Sequence, residues 1–190
     1  MSQFSLFGAA AAEPSLDDVD GVLLAGGRWV RSAGTARLSV VVPHRWRADA
    51  LAGEFELRGV GGPDPVVPAE DGFSVRTAFV PELAGRAARW AHGANEGAPP
   101  DLRLTAGGLR LWAVAAGSRD EVGFLFASGR ASATLHLAAG AQLSRLGLAG
   151  VSLIQRPGPG WRITSRKRIH RLAELLGAAP PGGEPYWPLP

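Results

Sequence analysis

The chain contains no cysteine and only one methionine, one tyrosine and four histidines in 190 residues. Without cysteine there are no disulfides, no thiolate nucleophile and no Cys-based zinc site. His44, His92, His136 and His170 stand far apart, and none falls in an H-x-x-x-H or H-E-x-x-H spacing. The sequence therefore carries no metal-ligand motif and implies no cofactor. No apolar run approaches the roughly 18 residues of a membrane helix, and the N-terminus lacks the basic region of a secretory signal. A cytoplasmic protein with no membrane contact is expected. Lysine is nearly absent too: Lys167 is the single one, so arginine carries the basic charge, and with 26 Gly and 15 Pro this fits a GC-rich coding bias.

What is present is a globular composition, 46% hydrophobic and 19% charged, enough to bury a core. The net charge is only +3, but it is unevenly spread. From Val122 to Ala173 there is no acid and there are eight bases: Arg130, Arg145, Arg156, Arg162, Arg166, Lys167, Arg168 and Arg171. Such a block favours an anionic partner, and the phosphate backbone is the usual one.

Residues 1–14 read as a flexible tail. Ser15 and Asp18 have capping-box spacing, with Asp17 and Asp18 in the first turn, and predict a helix to about Gly26 with Val19, Val22 and Leu23 as its apolar stripe. Arg28 to Val42 predicts a hairpin broken at Ala33-Gly34. Pro43 opens a helix to about Arg58, with Trp46, Leu51 and Phe55 at core spacing. Strands at Pro65–Val67 and Phe73–Thr77 and a helix over Pro81–His92 complete an α-β-β-α-β-β-α unit over residues 15–94. A linker, 95–104, precedes a second unit, 105–177. Its elements are a helix over Ala106–Ala116, an extended stretch over Glu121–Ala127, a helix over Ser132–Leu146, a hairpin around Pro157-Gly158-Pro159-Gly160 and a helix over Arg166–Leu176. Residues 178–190 form a Pro-rich tail that packs as an irregular strap.

The two units align in sequence. Gly72-Phe73-Ser74-Val75-Arg76-Thr77 falls on Gly160-Trp161-Arg162-Ile163-Thr164-Ser165 at an offset of 88, whereas the helix ends Gly26 and Gly117 differ by 91. The second copy is thus shorter in its first hairpin. The expected fold class is α+β, a duplicated unit about a pseudo-twofold axis.

A doubled α-β-β-α-β-β-α unit resembles the LAGLIDADG homing-endonuclease fold. Val19-Asp20-Gly21-Val22-Leu23-Leu24-Ala25-Gly26-Gly27 stands where the first motif would be, and the segment ending Trp112-Ala113-Val114-Ala115-Ala116-Gly117 where the second would be. The resemblance implies two helices at the pseudo-twofold axis and two sheets forming a saddle over DNA. It also puts Gly26 and Ala116 at the positions of the motif acids, so a non-enzymatic, degenerate copy is expected, as in WhiA-type bacterial regulators. Strand alternation puts Arg76 and Arg162 opposite the inward Phe73, Val75, Trp161 and Ile163. With Arg28, Arg31 and Arg37 of the first hairpin, Arg156 of the last, and Arg166, Lys167 and Arg168 of the final helix, they are the candidate contacts to double-stranded DNA.

Gln3-Phe4-Ser5-Leu6-Phe7 is similar to the pentapeptide by which polymerases and mismatch-repair proteins engage the bacterial β sliding clamp. Leu6 and Phe7 supply adjacent apolar anchors, and the Gln3 amide a hydrogen-bonding edge. The combined expectation is a bacterial, nucleoid-associated protein of DNA replication or repair that binds the clamp and duplex DNA. The alternatives are a clamp-recruited repair nuclease and a clamp-binding adaptor that makes no DNA contact.

Overall fold

The computed structural model describes residues 12–92, 95–129, 132–154 and 158–189. Ser15 forms the expected capping box: its hydroxyl accepts from the Asp17 N–H while the Asp18 carboxylate accepts from its own N–H. The segment that follows is not one long helix. It is a 3-10 turn, Leu16–Val19, running into the short helix α1, Asp20–Leu24, which ends where Gly26 turns the chain at φ 100°.

The first unit continues with β1 (Arg28–Ser32), β2 (Thr35–Val42), α2 (Arg45–Leu57), β3 (Val66–Ala69), β4 (Gly72–Arg76) and α3 (Glu82–Arg89). A two-residue ladder of β5 (Ala91–His92) and β6 (Asn95–Glu96) closes it. The second unit has α4 (Ala106–Ala116), β7 (Gly117–Arg119), β8 (Phe124–Ala127), α5 (Ala133–Arg145), β9 (Val151–Leu153), β10 (Gly160–Ile163) and α6 (Arg166–Leu176). Strand order is β1-β2-β4-β3 in one sheet and β7-β8-β10-β9 in the other, so the same antiparallel topology occurs twice. The second hairpin is the shorter, as the offsets predict: it spans residues 117–127 against 28–42 in the first unit.

Burial follows the strand period. Ala36, Leu38, Val40, Val42 and Val75 of the first sheet, and Phe124, Phe126 and Ile163 of the second, are all at most 5% exposed and face the helices. Helices α2 and α3 cover the first sheet, and α4 and α5 the second. Trp161 lies over Gly140 of α5, where any side chain would overlap its indole. The indole stacks on His136 at 4.9 Å and donates to the His136 carbonyl.

At the centre, α1 crosses α4 with glycine on both sides. A Cβ on Gly21 would overlap the Gly108 carbonyl, and one on Gly107 would overlap the Asp18 carboxylate. This contact lets the two units share one core, in which Val22, Leu24, Leu109, Leu111, Trp112 and Val114 are fully buried. The connection between units is part of that core rather than a free linker, because Leu102 and Leu104 are buried and the Leu104 N–H donates to Gln142 of α5. The C-terminal strap is likewise fixed. Trp187 is buried and donates to the Gly177 carbonyl, and Gly182 and Gly183 lie on Trp46 of α2.

Gly21→Ala places a methyl against backbone that no rotamer change can move. It should cost about 3 kcal/mol or more, read as a shift in urea midpoint at unchanged slope. A cost below about 1 kcal/mol would show that the α1–α4 crossing is not tight.

Candidate nucleic-acid interface

The face of the first sheet turned away from the helices carries the residues of opposite parity. Ladder pairing puts Arg28 opposite Ser39 and Ser39 opposite Arg76, so two arginines flank a serine in one row across three strands. Two strand spacings separate them, about 10 Å. Arg37 stands beside Val30 on the same face, its guanidinium 4.5 Å from the centre of the Phe79 ring. Ser39 and Ser74 bring their hydroxyls to 3.3 Å. No carboxylate of β1 to β4 shares this face, and neither Arg28 nor Arg76 has an acidic partner among the described residues. The arrangement offers guanidinium and hydroxyl donors to an anion.

The other candidate residues are placed differently. Arg31 has the parity of Trp29, faces the helices, and donates to the Ala87 carbonyl of α3 at 2.5 Å, so it is not on the outward face with Arg28 and Arg37. Strand alternation around Trp29 was the signal for this. Arg162 does point outward from β10, but Nη2 binds Asp120 at 2.6 Å and its charge is neutralised. Asp120 is fixed for this by an Asx turn, with Oδ1 accepting from the Val122 and Gly123 N–H groups at 2.9 Å. Beside Arg162 the outward face of the second sheet carries Ser118, Leu125, Ala127, Val151 and Leu153. Arg166, Lys167 and Arg168 are exposed on α6, a helix that packs on α4 rather than a strand of either sheet, and Arg168 donates to the Ala149 carbonyl. The structure does not bring these three into one face with the β-strand arginines. Arg156 and Gln3, Phe4, Ser5, Leu6 and Phe7 lie outside the described residues.

Gly26 and Ala116 lie at the ends of α1 and α4, and the α4 end is held by Arg47, for which the sequence carries no local signal. Arg47 is 4% exposed and closes the end of α4. Its Nη1 donates to the Val114 carbonyl at 2.6 Å and reaches the Ala113 carbonyl at 3.3 Å, and its Nη2 donates to the Gly117 carbonyl at 2.6 Å. The Val114 carbonyl is an orphan acceptor of the helix end, where the dipole favours a cation, and the Ala113 carbonyl also accepts from the Gly117 N–H. Trp46 and Tyr186 flank the guanidinium at 4.5 and 5.3 Å. Burial lowers its pKa from 12.5 to about 10, which leaves it charged at neutral pH. A divalent metal does not fit this end of the fold: three carbonyls it offers are already engaged by a cation. No group of three or more His, Asp or Glu placed to hold an ion occurs among the described residues.

The remaining buried charges serve the fold. Asp18 accepts from Arg58 at 2.7 Å and from the Thr105 hydroxyl at 2.6 Å; Glu54 joins Arg58 to Arg110, which also donates to the Leu176 and Ala178 carbonyls. Asp20 is 3% exposed and accepts from the Trp90 indole N–H at 2.9 Å. Desolvation outweighs that hydrogen bond and raises its pKa from 3.8 to about 6.

The doubled strand order, with one helix from each unit crossing at the centre, defines the LAGLIDADG homing-endonuclease fold. Two solved structures are similar to most of the chain. The homing endonuclease I-WcaI, bound to its DNA recognition sequence, matches with a TM-score of 0.62 at 11% identity over 93% of this chain and 83% of its own. I-DmoI, in complex with DNA and Mn, matches with a TM-score of 0.51 at 14% identity over 85% of this chain and 98% of its own. No family model and no curated protein matches the sequence.

Because its folded pKa is raised, Asp20 contributes stability that is fully present below about pH 4 and is lost as pH rises through about 6. The wild type should lose on the order of 3 kcal/mol from this group between pH 4 and 7. Asp20→Asn keeps an acceptor for Trp90 and should be more stable than wild type at pH 7, with the gap closing at pH 4. Parallel urea titrations across that range, with no change in the gap, would contradict the shift.

Proposed function

We propose that the protein binds duplex DNA without cleaving it and holds its phosphates on the outward face of the first sheet. The observation that carries this reading is the acid-free row of Arg28, Ser39 and Arg76 with Arg37 beside it. The sheets of a LAGLIDADG fold are its DNA-facing surfaces, and I-WcaI and I-DmoI were solved with DNA. Guanidinium and hydroxyl groups suit backbone contacts more than base reading, so weak sequence preference is expected. The non-cleaving part rests on the helix ends. Gly26 and Ala116 supply no carboxylate, and the Arg47 guanidinium holds the α4 carbonyls in place of any metal.

Replacing both Arg28 and Arg76 by Ala should weaken duplex binding about tenfold at low salt, to a similar degree on unrelated sequences. It should also flatten the plot of log affinity against log salt by about 2. Fluorescence anisotropy at several salt concentrations reads both. Unchanged affinity and slope would remove the first sheet from the interface.

A second element of the reading is recruitment to the bacterial β sliding clamp through Gln3, Phe4, Ser5, Leu6 and Phe7, the basis for a role in replication or repair. It stands on the pentapeptide and on a Gly/Ala-rich tether, Gly8 to Ala12, which lets such a motif reach a partner. Calorimetric titration against the clamp should give binding in the micromolar range that vanishes when Leu6 and Phe7 are both changed to Ala. Absence of heat with the wild-type protein would separate the chain from the clamp.

A further inference from the structure

The two outward faces are topological equivalents with different chemistry. The first presents Arg28, Arg37 and Arg76 with no acid on its strands; its β1–β2 turn is the neutral Ala33-Gly34, and its acids, Glu70 and Asp71, stand in the β3–β4 turn. The second presents one described cation, Arg162, already bound to Asp120, with Ser118 in a mainly apolar field of Leu125, Val151 and Leu153. Its β7–β8 turn carries two carboxylates, Asp120 and Glu121. Asp120 cannot swing away from Arg162 without giving up the Val122 and Gly123 N–H groups. A phosphate approaching this sheet meets a guanidinium already neutralised by Asp120 and one further carboxylate, Glu121, at the turn.

From this we infer that duplex contact is confined to the first sheet, so that the protein grips about half the length of DNA that a symmetric saddle would. This rests on the duplex-binding reading above and sets the size of its ligand. Strand β2, with eight residues, extends about 26 Å, and four strands span about 15 Å across it. At 3.4 Å per base pair that face accommodates roughly 8 base pairs. Three guanidinium groups correspond to a salt slope near −3, not the larger value of two cationic sheets.

The test uses the full chain with 24- and 10-base-pair duplexes of random sequence, at several salt concentrations, with affinities expressed per binding register. The expected result is less than about a threefold difference between the two duplexes, with a slope near −3. Arg162→Ala should leave both affinities within about twofold. Asp120→Asn combined with Glu121→Gln keeps the acceptor of the turn and releases Arg162. It should steepen the slope by about 1 and tighten binding several-fold on the 24-base-pair duplex, but not on the 10-base-pair one. A tenfold or greater loss on shortening the duplex, or a loss with Arg162→Ala equal to that with Arg76→Ala, would overturn the one-sheet grip while leaving DNA binding intact. Failure of the wild type to bind either duplex at low salt would overturn the duplex-binding reading itself.

Discussion

Two helices can meet backbone to backbone only where neither has a side chain, and the α1–α4 crossing at Gly21 and Gly108 is such a place. Everything central is arranged around it. The short α1 has only five residues, too few to be stable alone, and it is held by burial of its side chains and by the Ser15 cap of the 3-10 turn that leads into it. Asp18 ties that cap to Thr105 at the start of α4 and to Arg58 at the end of α2, so the N-terminal end of the crossing is pinned by charged hydrogen bonds. Such a buried ion pair is weak evidence for net stability, but it holds the register between the units, because any sliding would strand a buried carboxylate.

The far end of α4 is handled by a different device. Where α1 simply turns at Gly26, α4 runs straight into β7 and leaves carbonyls that a side chain must satisfy. Arg47 reaches them from α2, and the C-terminal strap seals it with Tyr186. The unit boundary seen along the chain is therefore not a boundary in space, since α2 of the first unit completes a helix of the second.

Much of this was legible in the residues. The Ser15 and Asp18 spacing announced the cap, Gly177 announced the end of α6, and the repeated Gly-aromatic strands announced β4 and β10, because each is a local signal. Strand β7 was not legible: Gly117-Ser118-Arg119 has neither β-branched nor alternating apolar residues and is a strand only because β8 pairs with it. The site divided in the same way. Arg76 followed from alternation, whereas Arg28, Arg31 and Arg37 were grouped by their hairpin alone, and alternation around Trp29 separates Arg31 from the other two. The neutralising partner of Arg162 lies 42 residues away in sequence, and the acceptors of Arg47 lie 66 to 70 away. Neither pairing leaves a trace in local pattern, because what decides it is which chain ends the fold brings together.

The glycine crossing also sets how the molecule can move. Where Gly21 meets Gly108 the separation of α1 and α4 is set by main-chain atoms, so no rotamer exchange at that point can alter it. The two sheets are thus joined through a contact with no side chain to repack, and adjustment of one outward face relative to the other has to come from elements away from it.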